Sequence, residues 1–418
     1  MVKAPKGTKD ILPDAIYKWH YIEKIIEKIT SLYGLKEIRT PIFEHTELFV
    51  RGIGEATDVV GKEMYTFLDK GDRSITLKPE GTAGVARAYI ESKLNAHPLP
   101  AKMYYITPVF RYEKPQSGRL RQHHQFGIEI FGSYSALADA EVISVAHSLF
   151  STIGIKDLEL RINSIGCPAC RAKYNLALKE YFSLHIDSMC PTCTERLERN
   201  PLRILDCKSE ICRTYTKKAP VMLDFLCTDC LAHHNGVLAA LDASGISYAI
   251  DPMIVRGLDY YTKTVFEFVS TNIGSQGTVC GGGRYDNLVS DLDGKPTGAV
   301  GFGLGLERLI MVAEATGIAL GQQQKTYVYI APQDAAQSVA AFSLTQNLRN
   351  CGISAECDTL GRSLRAQMKY ADKQGYAYVI VLGREELSSH QVQVKKMTDG
   401  STVCVVMGKI VDFFKEII

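Results

Sequence analysis

The sequence lacks several features that would place it in an easily recognised class. Its 418 residues contain no stretch approaching about 18 consecutive apolar residues, so we expect no membrane span. Its first residues lack the apolar core of a secretory signal, which predicts a cytoplasmic protein. No Gly-x-x-x-x-Gly-Lys-Ser/Thr loop occurs, which excludes a P-loop nucleotide site. The formal net charge is only +2, so a surface for nucleic acid must be sought region by region.

The cysteines that are present lie mostly in one place. Of twelve cysteines, eight fall between Cys167 and Cys230. Cysteines clustered in a long chain without a secretory signal favour a metal or reduced thiols over disulfides. The chain is long enough for two or three domains.

The hydrophobic pattern divides the chain into a long first part and a short last part. Apolar residues recur at helical spacing from about 15 to 33. Two predicted strands, 102–113 and 122–132, flank a polar loop, as in an antiparallel hairpin. A further strand-like run covers 247–254. After a glutamine-rich linker at 317–325, strands and helices alternate to the end, which predicts a separate α/β domain.

The second strand of the hairpin carries a polar face. Because side chains alternate along a strand, Gln125, Gly127 and Glu129 share one face, and Phe126 and Ile128 share the other. An amide, a gap and a carboxylate in a row suit a small polar ligand. A half-exposed sheet wetted by solvent is the alternative interpretation.

Four further segments place arginines beside apolar or glycine-rich sequence. They are Phe110–Glu113, Val255–Tyr261, Cys280–Asp286 and Gly301–Arg308. A guanidinium in such surroundings needs an anion, and phosphate is a natural one. These segments therefore predict that arginines hold the phosphates of a nucleotide.

Together these segments resemble the class II aminoacyl-tRNA synthetases, and within them the histidyl-tRNA synthetase family. Residues 41–67 resemble motif 1, 110–129 resemble motif 2, and 301–308 resemble motif 3. Residues 255–261 and 281–286 resemble the two signatures that are specific for histidine.

The resemblance implies an architecture. It predicts an α+β catalytic domain with an antiparallel sheet, the class II synthetase fold, over 1–166 and 236–320. A small cysteine-rich helical insertion at 167–235 would interrupt this domain. A C-terminal α/β anticodon-binding domain would follow at 326–418. Motif 1 also implies a homodimer.

The resemblance further implies a reaction in two steps. L-Histidine and ATP, with Mg²⁺, would form histidyl-adenylate, and the histidyl group would then move to tRNA(His). By the same resemblance, the catalytic cations would be Arg111, Arg256 and Arg308. The ATP site would comprise Arg111, Glu113, His123 and Arg308. The histidine site would comprise Glu80, Thr82, Arg111, Gln125, Glu129, Arg256, Tyr260 and Tyr261.

One position departs from the family's pattern. His123 stands where the family more often has a phenylalanine that stacks on adenine. Imidazole also stacks, but it titrates near neutral pH. The departure predicts that ATP affinity depends on pH between 6 and 8.

The eight clustered cysteines form four pairs: Cys167 with Cys170, Cys190 with Cys193, Cys207 with Cys212, and Cys227 with Cys230. Two-residue gaps suit knuckles that grip tetrahedral zinc, and eight thiolates are enough for two ions. Reduced, partly buried thiols in a helical insertion are the alternative.

Candidate contacts with tRNA come from two regions. Arg119 and Arg121 lie in the motif 2 loop. Near the C-terminus, cationic residues recur at helical spacing and predict one charged helix face; they are Arg362, Arg365, Lys369 and Lys373. A solvated helix surface explains the same pattern. Two functional alternatives also remain: a catalytically silent relative that regulates ATP phosphoribosyltransferase, and a zinc-ribbon protein that binds nucleic acid.

Overall fold

The computed structural model describes residues 1–55, 57–271, 277–322 and 327–417. The chain separates into two compact units, Met1–Gly321 and Gln322–Ile418. Residues 323–325 of the predicted linker lie outside the described residues, as does residue 326, the predicted start of the last domain.

The first unit mixes strands and helices. Its described strands are β1 (Lys36–Glu37), β2 (Phe43–His45), β3 (Tyr65–Leu68), β4 (Ser74–Leu77), β5 (Ala101–Phe110), β6 (Gln122–Phe131), β7 (Leu158–Ser164), β8 (Ala249–Ile250), β9 (Thr262–Ser270), β10 (Thr278–Arg284) and β11 (Ala299–Gly305). Its described α-helices are α1 (Ile16–Leu32), α2 (Thr46–Ile53), α3 (Thr82–Glu91), α4 (Ala136–Ile153), α5 (Pro168–Ser183), α6 (Pro191–Arg199), α7 (Glu210–Thr216), α8 (Thr228–Ala243), α9 (Leu288–Asp291) and α10 (Leu306–Ala315).

One eight-stranded sheet organises this unit, in the order β1-β5-β6-β11-β10-β9-β7-β8. Neighbouring strands are antiparallel except at the two edges, where β1 pairs with β5 and β8 pairs with β7 in parallel. The chain between β1 and β5 forms a small antiparallel sheet with the order β2-β4-β3. The predicted antiparallel sheet and hairpin are therefore confirmed. In the hairpin Ala101 of β5 pairs with Phe131 of β6, and Phe110 pairs with Gln122.

The apolar face of the large sheet builds the main core. Phe126, Ile128 and Ile130 of β6 are buried together with side chains of α1, α4, α8 and α10. Helix α4 is 18 residues long with a mean hydropathy of 1.2, enough by length and composition to cross a membrane, but 56% of it is buried in this core. With apolar residues covered on this side, the polar residues of β6 are left for the opposite face.

The cysteine-rich segment packs around a small core of its own. Tyr174, Leu178 and Phe182 of α5 are buried with Leu197 of α6 and with several of the cysteines. Between α6 and α7 the chain has only a short 3₁₀ turn, Pro201–Ile204.

The second unit is an α/β domain, as the alternation of elements predicts. Its strands are β12 (Val328–Pro332), β13 (Ala355–Cys357), β14 (Tyr378–Leu382), β15 (Gln391–Lys396) and β16 (Thr402–Val406). Its described α-helices are α11 (Ser338–Asn350), α12 (Leu364–Gln374), α13 (Arg384–Ser389) and α14 (Ile410–Ile417). The sheet order is β13-β12-β14-β15-β16, with the first three strands parallel.

Two predictions of local structure are wrong. The strand predicted over 247–254 is only Ala249–Ile250, because Asp251 accepts a hydrogen bond from the Met253 amide (3.0 Å) and turns the chain at Pro252. The predicted cationic helix face does not include Arg362, because α12 begins two residues later. The amide of Arg362 donates to Asp358 instead (2.7 Å).

Candidate active site

Three arginines from remote parts of the chain line one cleft. Arg111 follows β5, Arg256 lies in the loop between β8 and β9, and Arg308 lies in the first turn of α10. The cleft has a volume of about 160 Å³. Its lining also includes three other residues predicted for the site, Glu113, His123 and Gln125. The structure thus brings together guanidinium groups that are up to almost two hundred residues apart in the chain.

Two of the three guanidinium groups, those of Arg111 and Arg308, are oriented by backbone carbonyls, whereas Arg256 pairs with Glu267. Arg111 Nε donates to the Pro79 carbonyl (2.8 Å). Arg308 Nε donates to the Gly118 carbonyl (2.8 Å), and its Nη1 donates to the Thr278 carbonyl (2.7 Å). These acceptors are neutral carbonyl oxygens, which orient the two guanidinium groups.

The electrostatics of the cleft favour an anion. Burial lowers the pKa of Arg308, and the nearby charges of Arg119 and Arg111 lower it further. Burial also lowers the pKa of Arg256, but Glu267, Tyr261 and Tyr260 together outweigh burial, so the pKa is raised overall. Arg256 Nε is buried without a hydrogen-bond partner. A bound phosphate would relieve the repulsion between these cations and supply acceptors.

Glycines on β11 make room for the polar side chains of β6. A Cβ atom at Gly301 would lie 1.9 Å from Glu129 Oε2, and one at Gly303 would lie 2.1 Å from Gln125 Nε2. Gly301 pairs with Glu129 and Gly303 pairs with Gly127 in the sheet register. The glycine alternation of β11 therefore lets two polar side chains of β6 lie flat over the neighbouring strand.

Glu129 is the centre of a buried polar cluster. Its carboxylate accepts hydrogen bonds from the Thr82 hydroxyl (2.8 Å), from the Tyr105 hydroxyl (3.1 Å) and from the Tyr285 hydroxyl. Glu129 is fully buried, and this burial raises its pKa to about 8 despite the three donors. A carboxyl group of this kind discriminates strongly between ligands that donate to it and ligands that do not.

Glu80 and Gln125 accept hydrogen bonds from backbone amides at the start of α3, next to this cluster. The Glu80 carboxylate accepts from the amides of Thr82 and Ala83 (2.7 Å each), so it caps the start of α3. Burial raises the pKa of Glu80. Gln125 Oε1 accepts from the Gly81 amide (3.2 Å) and the side chain reaches the cleft.

Two tyrosines from the loop before β9 complete the site. Tyr260 and Tyr261 are both buried, with ring centroids 4.6 Å apart. Tyr260 lies 5.5 Å from the Tyr285 ring, and the Arg256 guanidinium lies 5.8 Å from the Tyr261 ring. The predicted histidine-binding residues therefore surround the cluster or border it.

Sequence reasoning missed Tyr105 and Tyr285 as functional candidates. Tyr105 has the same strand parity as Thr107 and pairs with Gly127, so its face was readable from the alternation of β5. Tyr285 lies inside the glycine-rich segment Cys280–Asp286. In neither case does the sequence signal reveal that the hydroxyl reaches Glu129.

The ATP side of the cleft differs from expectation at His123. Burial lowers the pKa of His123 to about 3, and the charges of Arg111 and Arg308 contribute. The imidazole is therefore neutral throughout pH 6 to 8, and the predicted titration in that range is wrong for the protein without ATP. Glu113 pairs with Arg119, which lines the cleft rather than standing free in the loop. Arg121 lies over the Tyr112 ring, 3.8 Å from its centroid.

Comparison with known proteins agrees with this geometry. The histidyl-tRNA synthetase family matches residues 7–168 and 215–309, and an anticodon-binding domain matches residues 327–417. The curated histidine–tRNA ligase of Thermoanaerobacter pseudethanolicus is 54% identical over the full length of both chains. The chain belongs to the histidyl-tRNA synthetase family. The predictions of this family and of a histidine–tRNA ligase are therefore confirmed.

Solved structures of the histidyl-tRNA synthetase family support the same fold. The apo enzyme of S. aureus superposes with a TM-score of 0.84 at 42% identity and covers 99% of this chain and 100% of its own. A Bacillus halodurans structure described as an ATP phosphoribosyltransferase regulatory subunit/histidyl-tRNA synthetase gives a TM-score of 0.67 at 23% identity, over 92% of this chain and 98% of its own. The second likeness concerns the fold alone. The predicted class II fold is confirmed.

The insertion of this synthetase-family chain brings its eight cysteines into two groups of four. One contains Cys167, Cys170, Cys227 and Cys230, and the other contains Cys190, Cys193, Cys207 and Cys212. Within each group all four sulfur atoms lie within 4.8 Å of one another. The pair Cys167 and Cys170 thus joins the pair Cys227 and Cys230, and the two remaining pairs form the second group. The spacing along the sequence does not specify which pairs combine.

The distances between sulfurs suit a metal better than a disulfide. Cys167 Sγ lies 3.5 Å from Cys170 Sγ, and Cys190 Sγ lies 3.7 Å from Cys207 Sγ. A tetrahedral zinc with Zn–S bonds of about 2.3 Å places its ligands about 3.8 Å apart, whereas a disulfide needs about 2.05 Å. Backbone amides of Cys190 and Cys227 also donate to sulfurs of their groups (3.3 and 3.1 Å). Such contacts support thiolate ligands.

In the second unit, three of the four predicted cationic residues share an exposed helix face. Arg365, Lys369 and Lys373 lie on α12 and are exposed. Arg362 instead lies before the helix, with its guanidinium 4.2 Å from the Tyr370 ring centroid.

Proposed function

We propose that the chain activates L-histidine with ATP and then transfers the histidyl group to tRNA(His), using the cleft between β6, β10 and β11. The observation that carries this proposal is the convergence of Arg111, Arg256 and Arg308 on one cleft beside buried Glu129. The cleft suits a nucleoside triphosphate. The neighbouring cluster suits a small ligand that donates a hydrogen bond, such as an imidazole.

The first step needs cations because both reactants are negatively charged. A carboxylate oxygen of histidine attacks the α-phosphorus, the bond to the bridging oxygen breaks, and pyrophosphate leaves with that electron pair. Arg111 holds the α-phosphate and the carboxylate, and Arg256 adds a cation at the same phosphate. Arg308 holds the γ-phosphate. Positioned charges of this kind stabilise the crowded phosphorus without further reorganisation.

Mg²⁺ enters with the substrate, on the β- and γ-phosphates of ATP. His123 offers its neutral ring to the adenine, and Glu113, held by Arg119, borders the same part of the cleft. We therefore assign Glu113 and His123 to the adenine side of the site.

Specificity for histidine rests on the cluster around Glu129. An imidazole N–H donates to the Glu129 carboxyl group, and the Tyr261 hydroxyl donates to the other ring nitrogen, with Tyr260 alongside. Glu80, Thr82 and Gln125 accept from the ammonium group. A ligand without a ring donor gives up this hydrogen bond to a buried carboxyl group, a loss of about 1–3 kcal/mol.

The cysteine groups are assigned to structural Zn²⁺, one ion for each group. The insertion, 167–235, forms a separate domain between the two catalytic segments, 1–166 and 236–320. Arg119, Arg121, Arg362, Arg365 and Lys369 remain candidates for contact with tRNA. The anticodon-binding role belongs to the domain that begins at 326.

The working form is proposed to be a cytoplasmic homodimer. The support is a set of exposed apolar side chains on the motif 1 segment. Phe43, Phe67 and Leu68 are 57%, 48% and 65% exposed. Apolar groups on a small sheet favour burial against a second copy. Light scattering on the purified chain tests this: a mass of one chain at micromolar concentration would contradict it.

Exchange of labelled pyrophosphate into ATP tests the activity directly. The twenty amino acids are compared, and histidine alone should support exchange. The same preparation should then charge tRNA(His). A regulatory relative would bind histidine without exchange, and that outcome would overturn the proposal.

A further inference from the structure

A buried arginine of the insertion holds the backbone of Arg256. Arg203 is 8% exposed, and its Nη1 donates to the Arg256 carbonyl oxygen (2.9 Å). Its own carbonyl oxygen accepts from Arg196 Nη1 (3.0 Å). Three residues beyond Arg256, Asp259 accepts from Asn200 Nδ2 (3.2 Å). One segment of the insertion therefore contacts the catalytic loop at two points.

Asp58 of the catalytic unit fixes the same segment from the other side. Arg196 Nη2 donates to Asp58 Oδ2 (3.2 Å), and Arg203 Nη2 lies 3.7 Å from the same oxygen. Arg196 and Arg203 thus share one carboxylate, and Arg203 spans the distance from Asp58 to Arg256. Little regular structure supports Arg203 itself, since it lies in the 3₁₀ turn between α6 and α7.

The cysteine groups explain how such a short turn keeps its position. Cys190 and Cys193 stand at the start of α6, before this segment, and Cys207 and Cys212 follow it. A metal held by these four sulfurs ties both ends of the segment together. Without the metal, the turn would depend on these polar contacts and on the burial of Ile204 and Leu205 in the small core of the insertion.

We infer that a metal ion in the group Cys190, Cys193, Cys207 and Cys212 positions Arg256 for histidine activation, through the hydrogen bond from Arg203. This inference rests on the proposed function, because Arg256 is the cation at the α-phosphate. Arg203 is a positioning residue and does not touch the substrate. The hydrogen bond from Arg203 fixes the backbone from which the Arg256 side chain extends to Glu267 and the cleft.

The two cysteine groups offer matched variants. Cys190→Ser with Cys207→Ser removes the ion beside the catalytic loop, and Cys167→Ser with Cys230→Ser removes the other. Each variant should retain one zinc by elemental analysis, against two in the wild-type chain. The first should lose about 10- to 100-fold in kcat for pyrophosphate exchange, the scale of a displacement of about 1 Å. The second should stay within about 3-fold.

Arg203 itself is tested in a double-mutant cycle. Arg203→Gln should lower kcat by a similar factor and leave the KM for ATP within about 2-fold. When Arg256 is already alanine, adding Arg203→Gln should cause no further loss, because the positioned side chain is gone. A purely structural role of Arg203 would predict multiplied losses.

Chelation covers the case in which the variants do not fold. Zinc is stripped from the wild-type chain and then added back alone, and kcat should fall and recover. Equal losses in the two serine variants, or multiplied losses in the cycle, overturn the inference while wild-type exchange stands. Absent exchange in the wild-type chain overturns the proposed function instead.

Discussion

Gly303→Ala adds only a methyl group, but it should strongly lower the rate of histidine activation. The new Cβ would stand 2.1 Å from Gln125 Nε2, whereas ordinary contact begins at 3.4 Å, so the amide must retreat by about 1.3 Å. Gln125 borders the cleft and accepts from the Gly81 amide (3.2 Å), and both contacts would be disturbed. A misplacement of about 1 Å costs on the order of 100-fold in rate, which equals about 2.7 kcal/mol of barrier.

Gly305→Ala is the matched control. It adds the same methyl group on the same strand, but the nearest side-chain atom, on Arg308, lies 3.9 Å away. Neither glycine has a positive φ, so the backbone accepts alanine at both positions. Pyrophosphate exchange at varied histidine concentration measures the difference. If kcat/KM for histidine falls equally in both variants, or in neither, the packing of Gln125 over β11 is not what the site requires.

Three further predictions concern buried groups. Ionisation of Glu129 is disfavoured in the folded state, since its pKa is raised from 4.5 to about 8; wild-type stability should therefore fall as pH rises through this range. Glu129→Gln should flatten that profile in urea unfolding, and parallel profiles would contradict it. His123→Phe should leave the pH dependence of the KM for ATP unchanged between pH 6 and 8, because the pKa of His123 is about 3; curves that separate below pH 7 would refute this. Asp139 is fully buried against Arg284 and accepts from His233 (2.8 Å), so Asp139→Asn should lower the free energy of unfolding by about 3–5 kcal/mol, and a loss under about 1 kcal/mol would show that Arg284 finds other partners.

The alternation of β6 was readable from the sequence because a strand has a fixed period. Gln125 and Glu129 emerge on one face, and the apolar residues between them enter the core. The three arginines were likewise found as residues that need an anion. Their convergence required the resemblance to a known family, because no local rule relates Arg111 to Arg308.

What sequence reasoning missed depends on contacts between distant residues. The pKa of His123 is lowered first by burial and further by the charges of Arg111 and Arg308, and all three causes arise only in the folded chain. The hydroxyl of Tyr285 reaches Glu129 across β11, which lies between β6 and β10. The grouping of eight cysteines into two sets of four also needed coordinates, since the spacing allows several pairings.

The rate of histidyl-adenylate formation in a single turnover tests the central claim most directly. Arg308→Ala and Arg256→Ala should each slow this step by about 100- to 1,000-fold, the usual cost of losing one positioned donor in the transition state. Histidine and ATP should still bind to both variants. If either variant forms the adenylate within about 3-fold of the wild-type rate, the three guanidinium groups do not act together on the phosphates, and the account of this cleft is wrong.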